Sequence, residues 1–390
     1  MKIFYISPST IPSRSANLIH VLFMAEAFSN SGCRVFLFLH SEHLNSDESE
    51  NIIRKSYGIS DNEIDIVTYK SKFKRGRELG IAISALAYFI KNFISGDEPK
   101  FIISRNIYGA FFLGLLMRRN VVYETHSPEK GFRGYLQNSL ISSKKIQTVV
   151  ISDALKKIII GGRKELNEKI HVFHDAARAG RLNLDLLQRK KFQRQFLDLV
   201  PSLNSYEKII GYFGHLYSGR GIDIIQGLAK KHPNNAFIVY GGNEKEIQLF
   251  LDKNLFKNLF FMGHISQNQI FETMAMMDIL LMPYQRTVSI GLEAVDTAKW
   301  MSPMKMFEYM SAAVPIISSD LPVLREVLVD LHNCILVEPE NIDEWSEALK
   351  KLSNSAELNK KLSSNSYNDY LTEYTWDIRA QRILVLFPPH

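Results

Sequence analysis

Lys208-Ile209-Ile210-Gly211-Tyr212-Phe213-Gly214-His215-Leu216-Tyr217-Ser218-Gly219-Arg220-Gly221 is the stretch on which the reading of the fold turns. An apolar run of strand length ends in a glycine-rich turn, and the residues that follow take up a helical pattern. Glycines at such a turn let backbone approach a diphosphate closely, and the helix start beyond it favours negative charge. Taken alone, the same turn also serves as plain structure. What surrounds it gives it weight.

Downstream, strand-like runs recur at Ala236 to Tyr240, Leu259 to Met262, Ile279 to Met282, Pro315 to Ser318 and Ile335 to Val337. Upstream they stand at Lys2 to Ile6, Arg34 to Leu39, Ile64 to Tyr69, Phe101 to Ser104, Asn120 to Glu124, Gln147 to Ser152 and Ile170 to Phe173. Helical patterns separate them, which predicts α/β architecture with parallel sheets. A charged, helix-prone stretch from Leu182 to Leu199 and a break at Pro201 divide the two series. The expected domains are therefore 1–178 and 179–375, both Rossmann-like and doubly wound, with a last helix at about 376–390 returning to the first. Ligands of such sheets bind beyond the carboxyl ends of the strands, so the two domains are expected to face each other across a cleft.

With 390 residues and 46% hydrophobic content, the chain has ample material for two cores. The longest apolar run, Gly80 to Ile90, stops at Lys91, about half of what a bilayer requires. The start at Lys2-Ile3-Phe4-Tyr5-Ile6 reads as a strand and lacks the zones of a signal peptide, so the expected location is the cytoplasm. Cys33 and Cys334 are too far apart for a metal-ligand spacing and read as core residues. Residues 1–178 hold 25 lysines and arginines against 17 carboxylates, and the rest 22 against 24. A basic first half suits nucleic acid, anionic membrane or phosphorylated substrates alike. Nucleic acid is disfavoured, because the basic run Lys70-Ser71-Lys72-Phe73-Lys74-Arg75-Gly76-Arg77 has no interleaved aromatics beyond Phe73 and no recognition motif beside it. That run leads into the apolar stretch Leu79 to Ile94, a combination that can adsorb to anionic lipid, with Lys72, Lys74 and Arg75 as its cations; a solvated loop before a buried helix is the alternative.

The segment Trp300 to Ser318 carries the most chemistry. Ser302-Pro303 reads as an N-cap and first helical residue, which aims backbone N–H groups at whatever lies there. Lys305 and Glu308, three apart on that helix, share a face on which a cation can meet phosphate and a carboxylate can accept from ribose hydroxyls. An ordinary surface ion pair is the plainer alternative. Here the chain resembles the family-four glycosyltransferases, retaining enzymes of the GT-B fold, over nearly its whole length. The branch it resembles carries a Ser-Pro-x-Lys-x-x-Glu-Tyr-Met signature.

The resemblance implies a nucleotide-diphosphate sugar as donor, with Glu308 holding the ribose. Family members usually have a first glutamate eight positions earlier, where this chain has Trp300; Glu293 and Asp296 are candidate substitutes. The family's Arg and Lys on the donor diphosphate correspond to His215 and Arg220, a change that keeps the second charge and makes the first contact weaker or pH-dependent. Gly214, Gly242 after Tyr240 and Gly263 before His264 fall at strand ends where the family's backbone meets the donor. His126, in Val122-Tyr123-Glu124-Thr125-His126-Ser127, resembles the histidine near the transferred sugar. The first loop, Ser13-Arg14-Ser15-Ala16-Asn17, replaces the family's Gly-Gly; Arg14, Ser15 and Asn17 are its candidate contacts to acceptor or phosphate. His174-Asp175 stands where the family has its hinge. With Ser302, Lys305 and Arg220 this completes the expected donor set, and His126, Arg220 and Lys305 are the expected catalytic groups.

No Asp-x-Asp is present, so no metal is expected at the catalytic step, the helix dipole, Arg220 and Lys305 taking the charge of the leaving diphosphate. The resemblance implies retention of configuration and an acceptor that is a glycan or lipid-linked glycan, as in bacterial surface polysaccharide synthesis, at the inner face of the membrane. Two other readings stay open, a nucleotide-sugar epimerase and a non-catalytic nucleotide-sugar-binding protein. A Rossmann dehydrogenase is poorly matched, since Ile6-Ser7-Pro8-Ser9-Thr10 has no glycine after the first strand.

Overall fold

The computed structural model describes residues 1–13, 15–59, 63–72, 76–178, 193–194, 196–198, 200–252, 256–289 and 296–386, without the side chains of Gln267 and Asn268. Arg14, Lys74, Arg75 and Glu293 lie outside the described residues, as does most of Leu182 to Leu199. The chain forms two compact units, one of residues 1–175 with the segment from Trp376 onward, the other of residues 176–375.

In the first unit, strands β1 (Lys2–Thr10), β2 (Arg34–Ser41), β3 (Ile64–Lys70), β4 (Phe101–Ser104), β5 (Val121–Thr125), β6 (Ile146–Val150) and β7 (Ile170–Val172) make one sheet in the order β3-β2-β1-β4-β5-β6-β7. Every pairing is parallel. Helices cover both faces of such a sheet, so its central strands are apolar throughout. Ile3, Phe4, Tyr5 and Ile6 are all buried, and Phe4 lies within 5.2–6.3 Å of the rings of Phe36, Phe38, Tyr88 and Phe89. β1 runs past Ile6, where the sequence suggests a loop. Pro8 interrupts the ladder without ending the strand, and pairing resumes at Thr10 opposite His40 after a register shift.

The second unit holds β8 (Lys208–Phe213), β9 (Asn235–Tyr240), β10 (Leu259–Gly263), β11 (Ile279–Met282), β12 (Ile316–Ser319) and β13 (Ile335–Val337), all parallel, in the order β10-β9-β8-β11-β12-β13. Its core gathers Phe237, Val239, Leu281, Trp345, Leu349 and Leu352. In each sheet the strand order reverses once, between β1 and β4 and between β8 and β11. Connections leave such a switch point in opposite directions and open a crevice at the carboxyl ends of the two strands.

The last helix, Trp376–Leu384, packs on helix Ala16–Asn30 of the first unit. Helix Ala16–Asn30 is buried nearly all round, His20 included. Helix Arg77–Ile94 is different. It buries Ile81, Ala82, Ala85 and Phe89 and leaves Leu79, Ile83, Ile90, Phe93 and Ile94 exposed, Ile94 to 79%.

Candidate functional site

At the switch point of the second sheet, β8 ends in the glycine turn and β11 in Pro283-Tyr284. The turn fits only because it lacks side chains. A Cβ on Gly221 would stand 1.9 Å from the Pro283 carbonyl oxygen, one on Gly219 1.9 Å from that of Thr287, and one on Gly241 1.9 Å from that of Gly214. Gly219, Gly221, Gly241, Gly242 and Gly263 all have φ between +74° and +126°, the left-handed region that glycine tolerates best. Backbone bonds join the three strand ends, Gly214 N–H to the Tyr240 carbonyl (3.0 Å) and Gly241 N–H to that of Gly263 (2.7 Å).

Lys305 reaches this turn from helix Met304–Ser311. Its side chain is buried, and Nζ lies 4.3 Å from the centre of the Tyr212 ring and 4.4 Å from that of Tyr284. A Cβ on Gly214 would be 3.1 Å from that nitrogen. Among the described residues Nζ has no hydrogen-bond partner. Burial pushes the amine well below the ordinary lysine range, Arg220 adds to the depression, and Glu308 opposes it. Burial disfavours the charged form of this amine, and an arriving oxyanion between the two aromatic faces would favour it.

Arg220 donates from Nη1 to the Tyr284 hydroxyl (3.0 Å) and from Nη2 to the Ser289 carbonyl (3.2 Å), and its buried Nε has no partner among the described residues. His215 stacks on Tyr217 with ring centres 4.8 Å apart, and burial, then Arg220 and Lys305, lower its pKa. Neutral imidazole is the form this site favours. Glu308 is one turn from Lys305, yet no direct ion pair joins them among the described residues; burial pushes its carboxyl up to about 7, Lys305 holding it back.

One expectation changes here. The helix begins at Met304, and Pro303 rather than Ser302 occupies the N-cap, with no side-chain cap bond. Pro303 has ψ of 119°, extended rather than helical, so the first turn starts one residue late. Ser302 is buried before it. Asp296 accepts on Oδ1 from the backbone N–H groups of Val288 and Ala298, both at 3.0 Å, which braces its own loop. Sequence reasoning assigned no role to Tyr212 and Tyr284, whose rings flank Lys305, or to Tyr309, whose hydroxyl accepts from the Phe213 N–H at 2.8 Å.

The first unit presents a second cluster at the carboxyl end of β5. Glu124, on β5, is 1% exposed, and its Oε1 is 2.9 Å from each of Arg379 Nη2, His20 Nε2 and His126 Nε2. Burial alone would raise this carboxyl; Arg379, His20 and Arg105 bring it well below the ordinary range. His20 Nδ1 stands 3.0 Å from Asp175 Oδ1. Arg105 Nη2 donates to His126 Nδ1 at 3.1 Å. Since arginine can only donate, Nδ1 is the acceptor and Nε2 carries the proton that points at Glu124. Burial and Arg105 push the His126 pKa down to about 4, so the ring is neutral near pH 7. Both of its nitrogens therefore have side-chain partners.

Ser15 caps helix Ala16–Asn30, accepting from the Leu18 N–H, and Asn17 donates to Ser9 Oγ at 2.9 Å. His20, Glu124 and His126 offer three potential metal-ligand atoms within 4.8 Å of one another. The donor set does not suit a cation, because the same Glu124 oxygen already serves a guanidinium and Arg105 occupies His126 Nδ1.

Two doubly wound parallel-sheet units of this kind make the GT-B fold of glycosyltransferases. Residues 194–369, most of the second unit, match the family model described as "Glycosyl transferases group 1". The chain is similar to HepE of Anabaena, a structure solved in complex with UDP, with a TM-score of 0.72 at 13% identity over 99% of each chain. It is 22% identical over 260 residues to the O-antigen chain mannosyltransferase RfbU of Salmonella typhimurium strain LT2, covering 65% of this chain and 62% of that protein. An uncharacterized glycosyltransferase of Methanocaldococcus jannaschii is 25% identical over 167 residues, 43% of this chain and 44% of the relative. The chain thus spans about half the length of these curated relatives.

Proposed function

We propose that this chain is a glycosyltransferase that moves a sugar from a nucleotide-diphosphate sugar to a glycan or lipid-linked glycan acceptor in bacterial surface polysaccharide synthesis. The observation that carries the proposal is Lys305, a buried amine without an acceptor among the described residues, facing the glycine turn of β8 within the segment that matches the glycosyltransferase family model. RfbU, named for O-antigen synthesis, supports the acceptor class, and HepE, solved with UDP, supports a nucleotide donor.

In this reading the bond from sugar C1 to the diphosphate oxygen breaks as the acceptor hydroxyl oxygen bonds to C1 on the same face. The hydroxyl proton passes to the departing diphosphate, and the nucleoside diphosphate leaves. Lys305 and Arg220 stabilise the charge that grows on the diphosphate; Glu308 accepts from the ribose. Thermal-shift titration with uridine, guanosine and adenosine diphosphates and their sugars should find one base that stabilises the protein, with transfer to an acceptor from the matching sugar. Stabilisation by none of them would defeat the proposal. Hydrolysis or binding without transfer, or epimerised donor, would favour the two alternatives.

Fixed cations do the work of a divalent ion here, so transfer should persist in excess chelator. Activity abolished by chelation and restored by magnesium or manganese would show otherwise.

The exposed face of helix Arg77–Ile94 supports a peripheral location on anionic membrane, the chain remaining on the cytoplasmic side. Leu79, Ile83, Ile90 and Ile94 recur at helical spacing beside Lys70 and Lys72. No helix among the described residues is long and apolar enough to cross a membrane. Flotation should recover more protein with anionic than with neutral vesicles, and Ile83→Ser with Ile90→Ser should remove the difference. Equal recovery in all cases would rule the location out.

A further inference from the structure

We propose that Tyr284 is a positioning residue for sugar transfer, its hydroxyl holding Arg220 and its ring holding Lys305, so that both groups meet the diphosphate in one fixed arrangement. The role in transfer rests on the donor reading above; the placement of the two side chains does not.

Tyr284 follows Pro283 just beyond β11 and is 1% exposed. Its N–H donates to the Met282 carbonyl at 3.0 Å, and the next N–H, of Gln285, donates to the Gly219 carbonyl at 2.9 Å. The Pro283 carbonyl is pressed against Gly221. The backbone on either side of Tyr284 is thus tied to the glycine turn, and the ring has a fixed place where β8 and β11 pair.

From there it meets two basic side chains carried by different elements. Arg220 Nη1 donates to the hydroxyl at 3.0 Å, with the guanidinium carbon 5.2 Å from the ring centre, and Lys305 Nζ lies 4.4 Å from the same centre. The hydrogen-bond acceptors of Arg220, this hydroxyl and the Ser289 carbonyl, are both neutral. They orient the guanidinium without cancelling its charge, as a carboxylate would, and leave that charge for the diphosphate.

For Lys305 the ring works against burial. Exclusion of water and the nearby Arg220 disfavour the charged amine, whereas the faces of Tyr212 and Tyr284 favour it. The Tyr212 hydroxyl is spent on the His215 carbonyl, to which it donates at 2.7 Å. Of the two rings that flank the amine, Tyr284 is the one that also holds Arg220. Groups preset in this way need no rearrangement as charge grows on the leaving diphosphate.

The test compares Tyr284→Phe, which keeps the ring and drops the hydroxyl, with Tyr284→Leu, which drops both. Tyr284→Phe should lower turnover about tenfold while KM changes by less than about twofold. Its effect should vanish in an Arg220→Ala background and persist in a Lys305→Met background, since the hydroxyl acts through the guanidinium alone. The ring is read without any donor, from the NMR signal of the Lys305 ε-methylene protons, assigned by its loss in Lys305→Met. Two ring faces shield these protons; the signal should stay in place in Tyr284→Phe and move downfield in Tyr284→Leu. Unchanged turnover in Tyr284→Phe, a loss undiminished without Arg220, or a lysine signal indifferent to Tyr284→Leu would each overturn the proposal. Failure of every nucleotide to stabilise the unsubstituted protein, with the lysine signal moving as stated, overturns the donor reading alone. Nucleotide stabilisation with full turnover in Tyr284→Phe overturns the positioning role alone.

Discussion

Arg379→Met is expected to destabilise the first unit by about 3–5 kcal/mol at neutral pH, among the largest effects of any single substitution outside the donor site. The guanidinium is buried and donates to Glu124 Oε1, to the His174 carbonyl (2.9 Å) and to the Phe173 carbonyl (3.4 Å). Removing it strands a carboxylate that is 1% exposed beside Asp175, which is buried as well. The pH dependence has a definite sign. Glu124 is depressed in the folded protein, so the stability it contributes is present above the unfolded value of about 4.3 and is lost as pH falls through the folded value. In the variant that depression largely disappears, so the deficit should be greatest near pH 7 and shrink as pH falls toward 4. Denaturant unfolding followed by fluorescence of Trp376, whose ring centre is 4.8 Å from that of His20, reports on this unit. Arg379→Met combined with Glu124→Leu should recover most of the loss; a double variant as unstable as the single would show that the stranded charge is not the cause.

Arg220→Ala should lower turnover by about 10²–10³-fold while weakening donor binding much less, because its charge matters most as the diphosphate departs. Glu308→Gln should fail differently. It weakens a charge-assisted bond present before and during reaction, so it should chiefly raise KM, by about 1–3 kcal/mol. Its carboxyl titrates at about 7, pushed up by burial against the pull of Lys305. The carboxylate therefore forms as pH rises from 6 to 8, and KM for the nucleotide sugar should fall across that range in the unsubstituted enzyme and stay flat in E308Q. Wild-type kinetics in both folded variants would require a different donor site.

The strands were legible wherever an apolar run is bounded sharply. Phe101–Ser104, Lys208–Phe213, Ile279–Met282 and Ile335–Val337 stand as read, because charged or turn residues flank a continuous buried run. Past Ile6 the strand-like run of β1 ends in the sequence, and what carries the strand on to Thr10 is the resumed pairing with His40 of β2. Ser302-Pro303 allows two first turns for helix Met304–Ser311, and the choice lies in the ψ of Pro303. Local spacing brought Lys305 and Glu308 together, and the glycine turn announced itself. Arg105, Glu124 and Arg379 were invisible as a group, because no periodicity relates positions 105, 124 and 379. Lone charges far apart in sequence meet only once the sheet and the last helix are in place.

The split composition of the first unit has a consequence for synthesis on the ribosome. Residues 1–175 emerge first, but the helix that brings Arg379 to Glu124 follows only after the 200 residues of the second unit. At translation rates of about 5–20 residues per second this is a wait of about 10–40 seconds. Until then the pocket around Glu124 lacks its buried guanidinium, and His20, Arg105 and His126 alone offset the carboxylate. The second unit, contiguous in the chain, has all of its residues in place when the last helix of the first is made.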